Sequence, residues 1–210
     1  DRIQSADFVA CHTPSYVDKY DMVKNLKESG TFLLNCSWSD AELEAHLPAS
    51  MRRALAEKNA AFYTIDATSI ARELGLGNRT NTILQAAFFK LSAVIPLEQA
   101  VSEMQEAIYR TYFKKKGQAV VDMNNASIEK GLNGVHKVEI PAAWLTAEDT
   151  PIQKNKPAFI QEVVDVMNRQ EGNSLPVSTM MKFGLEDGTW PAGTSKFEKR
   201  GAAVDLSLIH

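Results

Sequence analysis

The sequence predicts an α/β fold, a three-layer, Rossmann-like parallel sheet that is incomplete at its amino end, with a helical half and an irregular C-terminal connector. Three short, mostly apolar runs predict the strands, at 6–11, 31–36 and 61–66. Apolar runs without clean alternation are typical of strands that are buried on both faces. Helical patterns separate these runs, and that alternation favours parallel strands joined by right-handed crossovers. Because three strands are few for such a sheet, we expect further sequence upstream.

The segments between the strands predict helices. The run 16–29 has aromatic and aliphatic residues at helical spacing, and Gly30 is positioned to end a helix there. After the second strand, residues 39–42 have the serine-to-glutamate spacing of a capping box, in which two side chains satisfy free backbone donors. Pro48 suits the first turn of a further helix that extends to about Lys58.

The middle of the chain is predicted to be helical. A helix at 67–74 follows the third strand, and residues 81–95 are apolar nearly all round, which is typical of a buried helix. Pro96 begins the next amphipathic pattern, and 118–130 forms another. Residues 135–140 alternate like a strand.

The last third of the chain has a different character. Residues 144–157 are polar and contain two prolines, which indicates a linker or a long loop. An amphipathic helix is predicted at 158–170. Residues 175–210 show little periodicity, and we expect them to wrap over another surface rather than to form a core of their own.

Composition excludes several classes of protein. A length of 210 residues allows one sizeable domain, or one domain with an appendage. A net charge of -3 gives no reason to expect nucleic acid or a membrane surface as a partner. The longest apolar run, at 83–95, is too short to span a bilayer. Cys11 and Cys36 are too few for a disulfide framework, and no secretory signal is visible, so we expect reduced thiols and a cytoplasmic location.

Open parallel sheets bind ligands outside the carboxyl ends of their strands, so the residues there were considered for chemistry. Cys11 beside His12 suggests a nucleophile and its base, but adjacent strand residues point to opposite faces and are poorly placed to share a proton. Ser37 and Ser39 are more typical of helix caps than of nucleophiles. The four histidines show no ligand spacing. We therefore assign no catalytic residue and no metal site.

The segment 75–81 resembles a glycine-rich nucleotide loop in the wrong context. A dinucleotide loop has a third glycine and follows a strand, whereas this segment lies between two predicted helices. Its polar end, 78–81, starts a helix, where backbone N–H groups attract anions and Arg79 adds a charged donor. The alternative is that an asparagine caps the helix and Arg79 pairs with a surface acid. For Lys114–Lys116 a solvated helix end and a phosphate contact also remain open.

Several longer motifs resemble those of the pyruvate:ferredoxin (flavodoxin) oxidoreductases, in order and along nearly the whole chain. They are Ala6–His12 with Pro14–Val17, Gly30–Asn35, His46–Ala67, Gly75–Leu91, Lys115–Gly117, Met123–Asn124, Pro141–Trp144 and Gly193–Gly201. The resemblance implies a cytoplasmic homodimer that decarboxylates pyruvate, passes electrons to ferredoxin or flavodoxin and releases acetyl-CoA. It also implies thiamine diphosphate, Mg²⁺ and 4Fe–4S clusters in the full-length enzyme, none of them bound by this fragment.

The resemblance also implies a division of the chain. Residues 1–144 resemble part of the central gamma-type domain, and 145–210 a linker, helix and connector toward the iron–sulfur domain. In the family the gamma-type domain binds coenzyme A (CoA), partly through a Gly-Ser-Asp-Gly-Thr loop that we expect upstream of this chain. Asn81 and Asn124 match two CoA ligands of the family. An apparent insertion near Phe113 leaves Asn125 as an alternative to Asn124.

The chain departs from the family pattern at the strand ends. Cys36 and Ser37 stand where Ser-Pro is expected, and Thr13 stands where Asn is common. We expect the fragment to contribute to CoA binding and to packing between domains, and to be inactive alone. Two alternatives remain open: a stand-alone nucleotide-binding regulatory domain, and a purely structural scaffold between domains in which Asn81 and Asn124 only cap helices.

Overall fold

The structure is a computed structural model that describes residues 3–149, 157–169 and 171–194. Its strands are β1 (Ala6–Cys11), β2 (Leu26–Asn35), β3 (Ala61–Ile65) and β4 (His136–Val138). Its helices are α1 (Asp40–His46), α2 (Ala49–Glu57), α3 (Ala67–Glu73), α4 (Asn81–Ser92), α5 (Leu97–Lys116), α6 (Gln118–Asn133), α7 (Asp165–Asn168) and α8 (Val177–Lys182). The chain divides into two compact units, one of residues 1–17 and 22–149, the other of 18–21 and 150–210.

The sheet of the first unit has the order β1-β2-β3-β4. The three predicted strands are present, and β2 pairs in parallel with both β1 and β3. The fourth strand is short and antiparallel to β3, with Phe62 opposite Val138. The predicted α/β class is therefore confirmed, with one antiparallel edge strand added to the parallel sheet.

Side chains of β2 alternate between the two faces of the sheet and produce a three-layer arrangement. Phe32 and Leu34 belong to a core shared with α1, α2 and the 3₁₀ turn at Ala142–Thr146. Leu33 points to the opposite core, which α3 and α4 cover. This alternation follows from the two-residue period of a strand, and burial on both faces explains why the run is apolar throughout.

The predicted helix at 16–29 is wrong. Only a 3₁₀ turn at Pro14–Tyr16 forms there, and β2 already begins at Leu26, so Gly30 lies inside a strand rather than after a helix. The ammonium of Lys58 donates to the carbonyl oxygens of Val23, Lys24 and Leu26, at 2.7, 2.9 and 2.7 Å. These bonds satisfy backbone acceptors that a helix would satisfy internally, so a distant side chain replaces local helical order.

The other helices of the first unit agree with the sequence patterns. Ser39 and Glu42 form the predicted capping box of α1, and Pro48 is the residue before α2. The buried helix predicted at 81–95 forms but ends at Ser92, because Ala93 adopts a left-handed conformation. No helix in the described ranges has both the length and the apolar character needed to cross a bilayer.

α4, α5 and α6 share a core of their own, and α6 crosses α4 at a glycine. A Cβ atom placed on Gly131 would lie only 2.5 Å from the carbonyl oxygen of Ile83. The absence of a side chain therefore allows the two backbones to approach closely.

The second unit has a small core. The predicted helix at 158–170 forms as a π-helical turn, Ile160–Val164, that continues into α7. Phe159 and Val163 are buried there against Phe183 and Leu185. The expectation that the last stretch forms no core of its own is thus wrong for these residues, and 195–210 lie outside the described residues.

Replacing Lys58 by Met tests the first connection of the sheet. The substitution keeps the length of the side chain but removes all three ammonium–carbonyl bonds. We expect the free energy of unfolding to fall by about 2 kcal/mol in urea denaturation, because partly buried carbonyl groups lose a charged donor.

Lys27→Met is the matched control, since Lys27 pairs with Asp7 on the surface at 2.7 Å. An exposed pair of this kind contributes less than about 1 kcal/mol. Equal losses for the two variants would contradict the special role of Lys58.

Candidate functional site

Asn35 is a buried polar residue at the carboxyl end of β2, and it connects three elements. Its Nδ2 donates to the carbonyl oxygen of His12 at 2.9 Å, at the end of β1. Its Oδ1 accepts from the backbone N–H of Ala67 at 2.9 Å, at the start of α3. One amide therefore fixes the loops beyond β1 and β2 against the first turn of α3. Sequence analysis placed Asn35 in a strand but assigned it no role.

A cavity of about 430 Å³ lies at this edge of the sheet, where a parallel sheet is expected to bind ligands. Its lining includes Ser39, Asp66 and His136. Ser39 and Asp66 are committed to the caps of α1 and α3, and Asp66 Oδ1 accepts from Ser69 N at 2.9 Å. His136 Nε2 lies 2.9 Å from Asp40 Oδ1. The polar groups of the edge thus hold loops and helix starts in place.

The two thiols near this edge are free and buried. Burial raises the pKa of the Cys36 thiol to about 11, with smaller contributions that include the negative charge of Asp66. Burial also raises the pKa of Cys11, while the neighbouring His12 is exposed. Since the thiolate is the nucleophilic form, neither cysteine is activated for chemistry. Among the described residues, no group of three or more His, Cys, Asp or Glu is placed to hold a metal ion.

The segment 75–81 turns sharply between α3 and α4. Gly75 and Gly77 have φ angles of +71° and +63°, and Leu76 between them is buried. Arg79 donates through Nε to the carbonyl oxygen of Leu76 at 3.0 Å, and within the described residues it forms no ion pair. Asn81 is the first residue of α4, and its exposed amide has no hydrogen-bond partner in the part of the chain that the structure describes.

Asn124 has a different environment from Asn81. It is buried in α6, and its Nδ2 donates to the carbonyl oxygen of Val120 one turn earlier, at 2.8 Å. The neighbouring Asn125 is half-buried, and its side-chain oxygen is buried without a hydrogen-bond partner. A buried acceptor of this kind is costly unless another molecule or domain supplies a donor.

The structure brings the 75–81 segment and the middle of α6 to neighbouring places in the helical layer. The terminal methyl carbon of Met123 lies 3.9 Å from where a Cβ on Gly75 would be, and α4 packs along α6. Of the two expected ligand residues, only Asn81 presents a free side chain to solvent. Both lie in the helical half, away from the residues that line the sheet-edge cavity.

Comparison with known proteins identifies the family. Residues 2–134 match the family model described as pyruvate ferredoxin/flavodoxin oxidoreductase. The chain belongs to this family. Residues 146–203 match a second family model, EKR, described as a domain of unknown function.

Full-length relatives of the oxidoreductase family are much longer than this chain. It is 50% identical over 208 residues to pyruvate-flavodoxin oxidoreductase of Klebsiella pneumoniae, covering 98% of this chain and 18% of the relative. It is 43% identical over 206 residues to pyruvate:ferredoxin oxidoreductase of Moorella thermoacetica, covering 97% of this chain and 17% of the relative. The chain thus spans less than a fifth of either protein.

A solved structure of the same family name has a similar fold. The crystal structure of the pyruvate oxidoreductase subunit PORC from Thermotoga maritima aligns with a TM-score of 0.51 and 21% sequence identity. The alignment covers 65% of this chain and 67% of that subunit. The likeness supports the α/β fold of the oxidoreductase chain.

Asn35→Asp is expected to destabilise the sheet edge in a pH-dependent way. The substitution keeps the shape of the side chain but turns a carboxylate oxygen toward the His12 carbonyl in place of an N–H donor. At pH 7 we expect a loss of about 3 kcal/mol in the free energy of unfolding. Because the buried carboxyl would have a raised pKa in the folded state, the folded state binds more protons, and stability falls as the pH rises above about 4.

Denaturation of Asn35→Asp at pH 4 and pH 7 measures this effect. Asn25→Asp is the control, because the exposed Asn25 amide also donates to a backbone carbonyl, that of Ile3, at 3.1 Å. A loss for Asn35→Asp that does not grow between the two pH values would contradict the buried geometry.

The thiols generate a second pH prediction. Since the folded-state pKa of Cys36 is raised from 9.0 to about 11, its contribution to stability is complete below pH 9 and is lost as the pH rises through 11. We expect both thiols to resist a disulfide reagent at pH 8 in the native protein and to react quickly in urea. Fast native labelling of either cysteine, followed by absorbance, would show that the burial is incorrect.

Proposed function

We propose that the chain is part of a pyruvate:ferredoxin/flavodoxin oxidoreductase, which oxidises pyruvate to acetyl-CoA and passes the electrons to a carrier. The observation that carries this proposal is the 50% identity over 98% of the chain to a protein named pyruvate-flavodoxin oxidoreductase. We further propose that residues 1–144 are the gamma-type domain and that 145–210 are the connector toward the iron–sulfur domain. Within this assembly the chain contributes to CoA binding and to packing between domains.

The contribution to CoA binding rests chiefly on Asn81. Its exposed amide can both donate and accept, as the adenosine and pantetheine parts of CoA require. It stands in the first turn of α4, where free backbone N–H groups favour an anionic ligand. Arg79 lies two residues earlier, and only its Nε is used by the protein among the described contacts. A polar, partly anionic ligand would find donors of three kinds at this place.

The second contact is assigned to α6. Asn124 can bind CoA only by giving up its bond to Val120, whereas Asn125 has a buried oxygen without a donor. The structure therefore favours neither residue through its chain position alone. We retain Asn124 as the proposed ligand on the family resemblance, with Asn125 as the alternative that its unpaired oxygen supports.

The mechanism that we propose for this part is positional. No acid–base or nucleophilic role is assigned to its residues, because both thiols are held protonated. By holding the nucleotide end of CoA, the part would orient the CoA thiol toward an intermediate on other domains and convert a bimolecular attack into an oriented one. Thiamine diphosphate, Mg²⁺ and 4Fe–4S clusters would be held elsewhere in a homodimeric parent enzyme, and the fragment alone would be inactive.

A structural scaffold is the second candidate function. The bond from Asn124 Nδ2 to the Val120 carbonyl favours it, since this amide already has a partner within its own helix. In that case α6 would serve packing only, and the amides would make no contact with CoA.

Kinetics of the full-length enzyme separate the two functions. We expect Asn81→Ala to raise the KM for CoA roughly tenfold, because one hydrogen bond to a polar ligand contributes about 1.4 kcal/mol. The KM for pyruvate should remain unchanged. Asn124→Ala and Asn125→Ala, made separately, identify which of the two amides contacts the ligand by the larger rise in KM.

Asn78→Ala is the matched control, because Asn78 is an exposed asparagine in the same segment. Its KM for CoA should equal that of the unmodified enzyme. An unchanged KM for CoA in all three test variants would overturn the binding function and leave the scaffold.

A further inference from the structure

An elongated groove of about 390 Å³ separates α4 from α5. Phe89 of α4 and Met104 and Ile108 of α5 supply apolar surface, while Gln85 and Thr111 supply polar groups. The proposed function does not use this groove. Its mixture of apolar surface and a few convergent polar groups is typical of a small-molecule site.

The two ends of the groove carry opposite charges. Arg110 lines one end, and the Lys116 ammonium lies 5.9 Å from the ring centroid of Tyr112, which lines the same end. Glu103 lines the groove two helical turns away from Arg110. Arg110 is held only loosely by Glu106, at 3.7 Å on the surface. An anionic group would therefore be favoured at the Arg110 end and disfavoured at the other.

The groove continues the surface on which Asn81 lies. Asn81, Gln85 and Phe89 are spaced four residues apart and so form one stripe on α4. Because the short connection 93–96 joins the two helices and they pack together, the start of α4 lies toward the end of α5 that carries Arg110. Gln85 is exposed, and within the described residues its amide has no partner.

We propose that this groove binds an elongated ligand that has a phosphorylated end and an uncharged, amide-bearing arm. The phosphorylated end lies near Arg110 and Lys116, and the arm runs over Ile108 and Met104 with its amides at Gln85. This inference rests on the proposed function, in which CoA is such a ligand, and it adds to Asn81 a path for the rest of the molecule. A flat protein partner would not need the charge difference between the two ends.

Filling the groove tests the path of the arm. In the full-length enzyme, Ala107→Trp places an indole on an exposed groove-lining position, and Gln105→Trp places one on the same helix outside the groove. The readout is the inhibition constant of desulfo-CoA, a CoA analogue that lacks the thiol. We expect at least a tenfold rise for Ala107→Trp and less than a twofold change for Gln105→Trp.

A second pair of variants tests the charged end. The double variant Arg110→Gln and Lys116→Gln should raise the inhibition constant about fivefold, and Lys115→Gln, on the same helix end, should leave it within twofold. Gln85→Leu, which keeps the size of the side chain, should raise it about threefold even if Ala107→Trp fails to fold.

The outcomes distinguish this inference from the function on which it depends. If Asn81→Ala weakens CoA binding and the groove variants do not, the groove is not the path of the arm and the proposed function survives. If none of these variants weakens binding, both fail. A lower unfolding temperature of the full enzyme for Ala107→Trp, with an unchanged inhibition constant, would show that another domain covers the groove and would overturn the inference.

Discussion

The bonds of the Asn35 side chain are the constraint on which the sheet edge depends. Parallel strands have no hairpin to fix their ends relative to each other, so their long connections must be held by other means. A single buried amide donates toward the end of β1 and accepts from the start of α3. The loops, the helix caps and the buried thiols of that edge are all positioned with respect to it. Removing either half of the amide would leave a buried backbone group unpaired.

Much of the fold could be predicted because its signals are local. The apolar run of each parallel strand, the Ser39–Glu42 capping box and the proline before α2 depend on residues close in sequence. The region 16–29 could not be predicted, because Lys58 satisfies its carbonyls from more than thirty residues away. β4 was recognised as a strand, but its antiparallel direction depends on how the helical half returns to β3.

The candidate site was predictable only in part, for a similar reason. Chain position alone indicated the polar start of α4, and the resemblance to the oxidoreductases pointed to Asn81 and Asn124. Whether an amide is free depends on its rotamer and its surroundings, and these separate the exposed Asn81 from Asn124, which is bonded within α6. The rule that ligands bind at strand ends led to the edge near Cys36, whereas the free amides lie in the helical layer.

Gly131 gives the helical layer a property that no contact with a ligand would show. α4 has two neighbours, since it meets α6 at this glycine and forms one wall of the groove with α5. Even one methyl group at position 131 would meet the Ile83 carbonyl and displace α4. The width of the groove is therefore set from behind its wall, and selection for the size of a bound molecule could act on a residue that the molecule never touches.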